Sequence, residues 1–117
     1  MATGFQQLNT TIYIAATAAA HITNAADQTV HCNGIYLHNT HTSSLTVTLY
    51  VVPDDGGSAG TASAANQIYK KTLTTLQTVI INDVPMYLAD EGDTLQAVCG
   101  TANKVTLFAE GYIESTP

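Results

Sequence analysis

The sequence predicts an all-β protein, a single antiparallel β-sandwich of jelly-roll type with seven or eight strands. Three observations carry that expectation. Thr, Val, Ile and Tyr are abundant, with nineteen threonines among 117 residues, and these residue types suit a pleated, half-buried surface. Apolar residues recur with period two, the pattern of a strand with one face in the core and one outside. Turn-forming clusters interrupt the chain at short intervals, as in a sandwich or jelly roll. A chain of this length fits one domain, with an N-terminal arm over residues 1–10 and the sandwich over residues 11–117.

The elements follow in order. Ile12 and Ile14 alternate with Thr11 and Tyr13 and predict a first short strand. The alanine-rich run after them has helical propensity, but Thr17 interrupts it and no helix-length apolar stripe develops, so a strand leading into His21-Ile22-Thr23 is expected. Residues 29–38 form the next. There Val30 and Cys32 differ in parity from Ile35 and Leu37, which on a regular strand sends the two pairs to opposite faces. A bulge at Asn33-Gly34 restores one apolar face. In residues 45–52 the alternation is sharpest: Leu45, Val47, Leu49 and Val51 are expected in the core, and Thr46, Thr48, Tyr50 and Val52 outside. Burial of each core side chain contributes about 1.5–3 kcal/mol. Further strands are expected over residues 67–73, 78–84, 86–88 and 94–100. The last places Val105, Leu107, Ala109, Gly111 and Ile113 on one face, with Thr106, Phe108, Glu110, Tyr112 and Glu114 on the other.

Turn chemistry fills the gaps. Residues 39–44 make a short polar connection. Ala89-Asp90-Glu91-Gly92-Asp93 is a tight acidic turn in which Gly92 is free to take positive φ. Thr101-Ala102-Asn103-Lys104 is expected to close a hairpin between the last two strands. Residues 53–66 form one long loop, of a length more often functional or mobile than merely connecting.

Composition excludes several classes of function. Hydrophobic residues make up 45% of the chain and charged residues 10%, against about 25% charged in ordinary globular proteins. A disordered chain shows the reverse balance. The formal charge is −6, and Lys70, Lys71 and Lys104 are its only basic side chains besides histidine. A nucleic-acid partner is not expected, because binding phosphates requires many cations. No run approaches the roughly 20 apolar residues of a membrane helix, and the first ten residues lack the basic and apolar regions of a secretion signal. Cys32 and Cys99 lie in strand-like sequence and read as small buried hydrophobes. A bridge between them is the alternative, disfavoured for a chain made in reducing cytosol.

The search for chemistry yields no catalytic residues, no cofactor site and no metal site. His31, Cys32, His38 and His41 are the nearest approach to a zinc set. On a regular strand His31 and His38 face opposite ways and only the expected bulge brings them together; no CxxC or HExxH spacing supports a site, and polar histidines flanking a strand explain the group. Asp54-Asp55 and the acids of residues 90–93 lack the alternating oxygen ligands of a calcium loop; turn formation accounts for both. Ser58, between Gly57 and Ala59, lacks the strand–turn–helix context of a nucleophile elbow. Gly56, Gly57 and Gly60 precede no phosphate-loop lysine. No pair of carboxylates stands out for glycoside hydrolysis.

What remains is surface. Six tyrosines lie mostly in expected strands, and Tyr50 and Tyr112 fall on outward faces. Tyrosine is enriched at interfaces and charge is depleted from interface cores, so a Thr- and Tyr-rich exterior fits life inside an assembly; paired sheet-surface tyrosines are the alternative.

Several stretches carry a resemblance: Ile35-Tyr36-Leu37-His38-Asn39-Thr40, residues 45–53 running into the Gly/Ala/Ser loop, Ala65-Asn66-Gln67-Ile68-Tyr69, and residues 88–97. In that order they resemble the small β-sandwich accessory virion proteins of tailed bacteriophages, of the head decoration or cement type. The resemblance covers residues 10–113 and implies no catalytic residues. It implies a structural protein on the outer surface of the virion head, made in the host cytoplasm. Its partners would be the major capsid protein at capsomer junctions and itself, as dimer or trimer. The alternative is a tail or vertex module that binds a host receptor or glycan. Contacts are expected at Phe5 and Leu8 of the arm, at Asp54 and Asp55 in the long loop, and at Tyr50, Phe108 and Tyr112.

Overall fold

The computed structural model describes residues 5–82 and 86–115. Among the described residues nine strands follow one another: β1 (Gln6–Gln7), β2 (Ala19–Thr23), β3 (Gln28–Asn39), β4 (Leu45–Val52), β5 (Gln67–Leu73), β6 (Thr78–Ile81), β7 (Met86–Leu88), β8 (Thr94–Cys99) and β9 (Val105–Ser115). They build two antiparallel sheets. The first has the order β1-β9-β3-β6, with β7 also paired to β3, and the second has the order β2-β8-β4-β5. Because β7 lies opposite Val30–Cys32 and β6 opposite Ile35–His38, the two share one strand position. The result is an eight-position jelly roll, in which β1 pairs with β9, β2 with β8, β3 with β6 and β7, and β4 with β5. Such nested pairing is a long hairpin wrapped around one core.

The bulge expected at Asn33-Gly34 is present: the pairing of β3 with β9 shifts register between Cys32 and Gly34. It turns Val30, Cys32, Ile35 and Leu37 onto one buried face. Val47 and Leu49 of β4, Leu95 and Ala97 of β8, and Val105, Leu107 and Ala109 of β9 meet them from both sheets, as alternation predicts.

Several expectations need correction. Residues 101–104 do not close a hairpin, since β8 and β9 lie in different sheets; the connection crosses the end of the sandwich, and β9 runs home between β1 and β3. Val52, expected outside, is 2% exposed, because the long loop folds back over the end of the second sheet. There the amide of Gln96 donates to the Gly60 carbonyl. Of the strand expected over 78–84, β6 covers the first four residues, and residues 83–85 lie outside the described region. The stretch around Ile12 and Ile14 forms only an isolated bridge, Tyr13 to Thr106.

One seam of the sandwich is laced shut. Residues 1–4 of the expected arm lie outside the described region; the rest of it is part of the sandwich. The Leu8 amide donates to Ala109, Ile14 to Val105, Thr10 to His21 of β2, and Cys99 of β8 to Ala15. The segment thus touches both sheets. Asn9 acts as a side-chain strand residue: its amide donates to the carbonyls of Thr11 and Leu107, and its oxygen accepts from the Ala109 amide. The opposite seam, between β5 and β6, opens into an apolar cleft of about 340 Å3.

Candidate interaction surface

The outer faces of the two sheets differ. The second sheet is partly roofed by the long loop, whereas no described segment covers the outer face of the first. Period two puts His31, Tyr36 and His38 of β3 on that face once the bulge has reset parity, together with Thr106, Phe108, Glu110, Tyr112 and Glu114 of β9. Ile80 of β6 and Tyr87 of β7 extend the rows, since Ile80 lies opposite Tyr36 and Tyr87 opposite His31.

Two rows of large side chains run across the strands. In the first, Phe5 stands 6.1 Å from Tyr112, Tyr112 stacks on His31 at 4.5 Å, and His31 lies 6.3 Å from Tyr87 (centroid distances). In the second, Phe108 meets Tyr36 edge-on at 5.9 Å, and Ile80 follows. Phe5 is 72% exposed, Tyr87 65%, Ile80 55% and Phe108 42%. Two carboxylates sit among the rings. Glu114 Oε1 lies 2.9 Å from His31 Nε2, and Glu110 accepts a hydrogen bond of 3.1 Å from the Tyr36 hydroxyl. That hydrogen bond and the negative charge behind it hold the Tyr36 phenol above its usual pKa.

Phe5, Phe108 and Tyr112 therefore share one face. The other candidates lie elsewhere. Leu8 packs against the core. Tyr50 is on the outer face of the second sheet, opposite Gln67 and Gln96. Asp54 and Asp55 lie in the long loop, where Asp54 caps the Gly57 amide and Asp55 pairs with Ser58. Ile80, Tyr87, His31 and Tyr36 join the face unforeseen. Their outward direction depends on register across β6, β7 and the bulge, which no single segment displays.

The histidine–cysteine set does not converge. Cys32 points into the core and is a free thiol, while His38 bonds to Thr78 on the outer face. Burial pushes the Cys32 thiol up to about 11. Cys99 is also buried and free. At one end of the sandwich, carboxylate oxygens of Asp54, Asp90 and Asp93 lie within 4.8 Å of one another. Asp93 spends both oxygens on backbone amides, those of Asp54 and Asp90, and Gly92 in the same turn has φ of 93°. This is the expected turn chemistry. The 340 Å3 cleft is lined by Leu49, Val79, Ile81 and Met86, with Tyr69 and Lys71 as its polar members. Among the described residues, no acid joins them there.

No family model matches the chain. No curated protein matches it either. A solved structure from Bacillus endospore appendages, described as forming a novel family of disulfide-linked pili, is similar at 18% identity and a TM-score of 0.47, covering 100% of this chain and 96% of that one. Likeness at that level assigns no role. No described helix is long and apolar enough to cross a membrane.

Proposed function

We propose that this chain is a non-enzymatic structural subunit that works by packing the outer face of its first sheet into a larger assembly. The observation that supports this is that face itself, with two rows of aromatic and aliphatic side chains and two carboxylates. A sheet that faces water ordinarily alternates apolar-in with polar-out, and contiguous exposed apolar area marks an interaction site. Its aromatic content is that of an interface core, and Glu110 and Glu114 give it a negative charge.

The assembly implied by the sequence resemblance is the head of a tailed phage, with the chain as a decoration protein on the major capsid protein. A subunit that touches two capsomers gains from effective concentration, because the second contact is intramolecular once the first is made. The test uses particles stripped of the chain. Wild-type protein should rebind them and raise their heat resistance, while Tyr87→Ser and Phe108→Ser should fold normally and fail to rebind. Wild-type protein that ignores such particles but binds immobilised glycans would replace this reading with the receptor-binding one.

A further inference from the structure

Positive charge is placed unevenly on this chain. Of its three lysines, Lys70 and Lys71 are neighbours on β5, a free edge of the second sheet, and flank that edge from its two sides, Lys71 on the side of the cleft and Lys70 on the other. Both are exposed. Among the described residues, neither has a carboxylate within salt-bridge distance. Around them the surface is apolar: Ile68 is exposed, and Ile68, Val79, Ile80 and Met86 rim the cleft with Lys71. The aromatic face of the first sheet carries the opposite sign, through Glu110 and Glu114, and no described lysine.

We propose that a second copy of this chain is the partner, its β5 edge with Lys70 and Lys71 docking on the Glu110 and Glu114 aromatic face. This rests on the reading of that face as an assembly surface and names what covers it. Charge selects the arrangement. An edge strand carrying Lys70 and Lys71 resists pairing with the same edge of another copy, the usual effect of lysine on a sheet edge. Pairing two aromatic faces brings together two acidic surfaces. Edge on face is the arrangement that joins opposite signs, and lysine stems also lie well against aromatic rings. The acidic loops of residues 54–55 and 90–93 are a poorer target, because docking there would leave the aromatic rows of the first sheet uncovered. A specific contact needs about 800 Å2 from each partner, which is about an eighth of the 6198 Å2 surface of this chain.

Such a contact is heterologous: each copy offers a different surface to its two neighbours. It closes into a ring where the rotation allows, a trimer included, and otherwise continues as a filament.

Charge reversal tests this by sedimentation and light scattering of the full chain. One variant carries Lys70→Glu with Lys71→Glu; the other carries Glu110→Lys with Glu114→Lys. Wild-type protein should associate with rising concentration and less so in high salt. Each variant alone should associate at least about tenfold more weakly. An equimolar mixture of the two should recover association between unlike variants, since each such contact is again of opposite sign; alternation carries this on into a filament or an even-numbered ring, while an odd-numbered ring stays one contact short of closure. Because Glu110 also holds Tyr36, Glu114→Lys alone serves where the double variant fails to fold. Wild-type protein that stays monomeric up to about 100 µM, or a mixture that does not recover, overturns the proposal. Loss of association in Tyr87→Ala and Phe108→Ala with no response to lysine reversal overturns the pairing with β5 but keeps the face as an assembly surface. Indifference to every face variant, in association and in particle binding, overturns both.

Discussion

Tyr112 of β9 and His31 of β3 lie directly opposite one another, and their rings stack with centroids 4.5 Å apart and planes 13° from parallel. The pair forms only because the Asn33 bulge resets parity: without it His31 would face the core and Cys32 the outside. Glu114 then reaches the far nitrogen of the same imidazole at 2.9 Å.

Cross-strand ring pairs contribute about 0.5–1.5 kcal/mol beyond the area they bury. A double-mutant cycle with Tyr112→Ala and His31→Ala, followed by urea denaturation, should give a coupling free energy in that range. Tyr87, largely exposed at the end of the row, should behave differently. Tyr87→Ala should leave stability within about 0.5 kcal/mol of wild type while weakening association.

The sandwich behind this face was legible in the sequence, as was the part of the face that β9 supplies. The alternation in residues 45–52 and 105–113 marked the core faces, and the parity switch between Cys32 and Ile35 marked the bulge. What stayed hidden depends on pairing across distance. Nothing near Thr101 records that β9 must cross to the other sheet, because the strands that receive it, β1 and β3, come much earlier in the chain. Val52 reads as outward until residues 53–66 fold over it. Asn9 and His21 read as ordinary polar residues, and only tertiary contacts show that each replaces a missing backbone partner.

His21 makes one such contact and gives stability a pH dependence. It sits where the pairing of β2 with β8 shifts register, it is 1% exposed, and its Nδ1 donates to the Thr11 carbonyl at 2.7 Å. Burial lowers its pKa below 6.5, more than the hydrogen bond to Thr11 raises it. On acidification the unfolded chain therefore takes up this proton first. The stabilisation is complete above the unfolded value and is lost as pH falls from about 6.5 towards the depressed folded value, at no more than about 1.4 kcal/mol per pH unit. Denaturation at about pH 7 and about pH 5 should show wild type losing more stability than His21→Gln, which cannot titrate. Equal losses in the two proteins would exclude His21 as the cause.

Asn9 should be as hard to replace. Its side chain serves the Thr11 and Leu107 carbonyls and the Ala109 amide, at 2.9, 2.9 and 3.0 Å. Asn9→Ala leaves these groups without their side-chain partner in a place closed to water, and each unmet buried group costs about 1–3 kcal/mol. A loss of about 2 kcal/mol or more in urea denaturation is expected. Asn9→Asp should do no better, because a carboxylate keeps the acceptor but has nothing to offer two carbonyls. Amide exchange should quicken first at Leu8 and Ile14, the donors that lace the seam.

Gly111 is the position where the bulge makes the tightest demand. It pairs with Cys32 on one side and Gln6 on the other, and a Cβ there would overlap the His31 carbonyl oxygen and come within 3.0 Å of the Cys32 Cα. Its need for glycine comes from close approach of backbone rather than from an unusual dihedral. Gly111→Ala should force β9 away from β3, as overpacking does, at a cost of about 1–3 kcal/mol, and should disturb the stacking of Tyr112 on His31 beside it. Gly100 makes the natural control, since a Cβ there meets only the Leu45 side chain at 3.8 Å. Gly100→Ala should be neutral or stabilising by up to about 1 kcal/mol, through the reduced freedom of the unfolded chain. Comparable losses at both positions would mean that close packing at the bulge is not what excludes a side chain from Gly111.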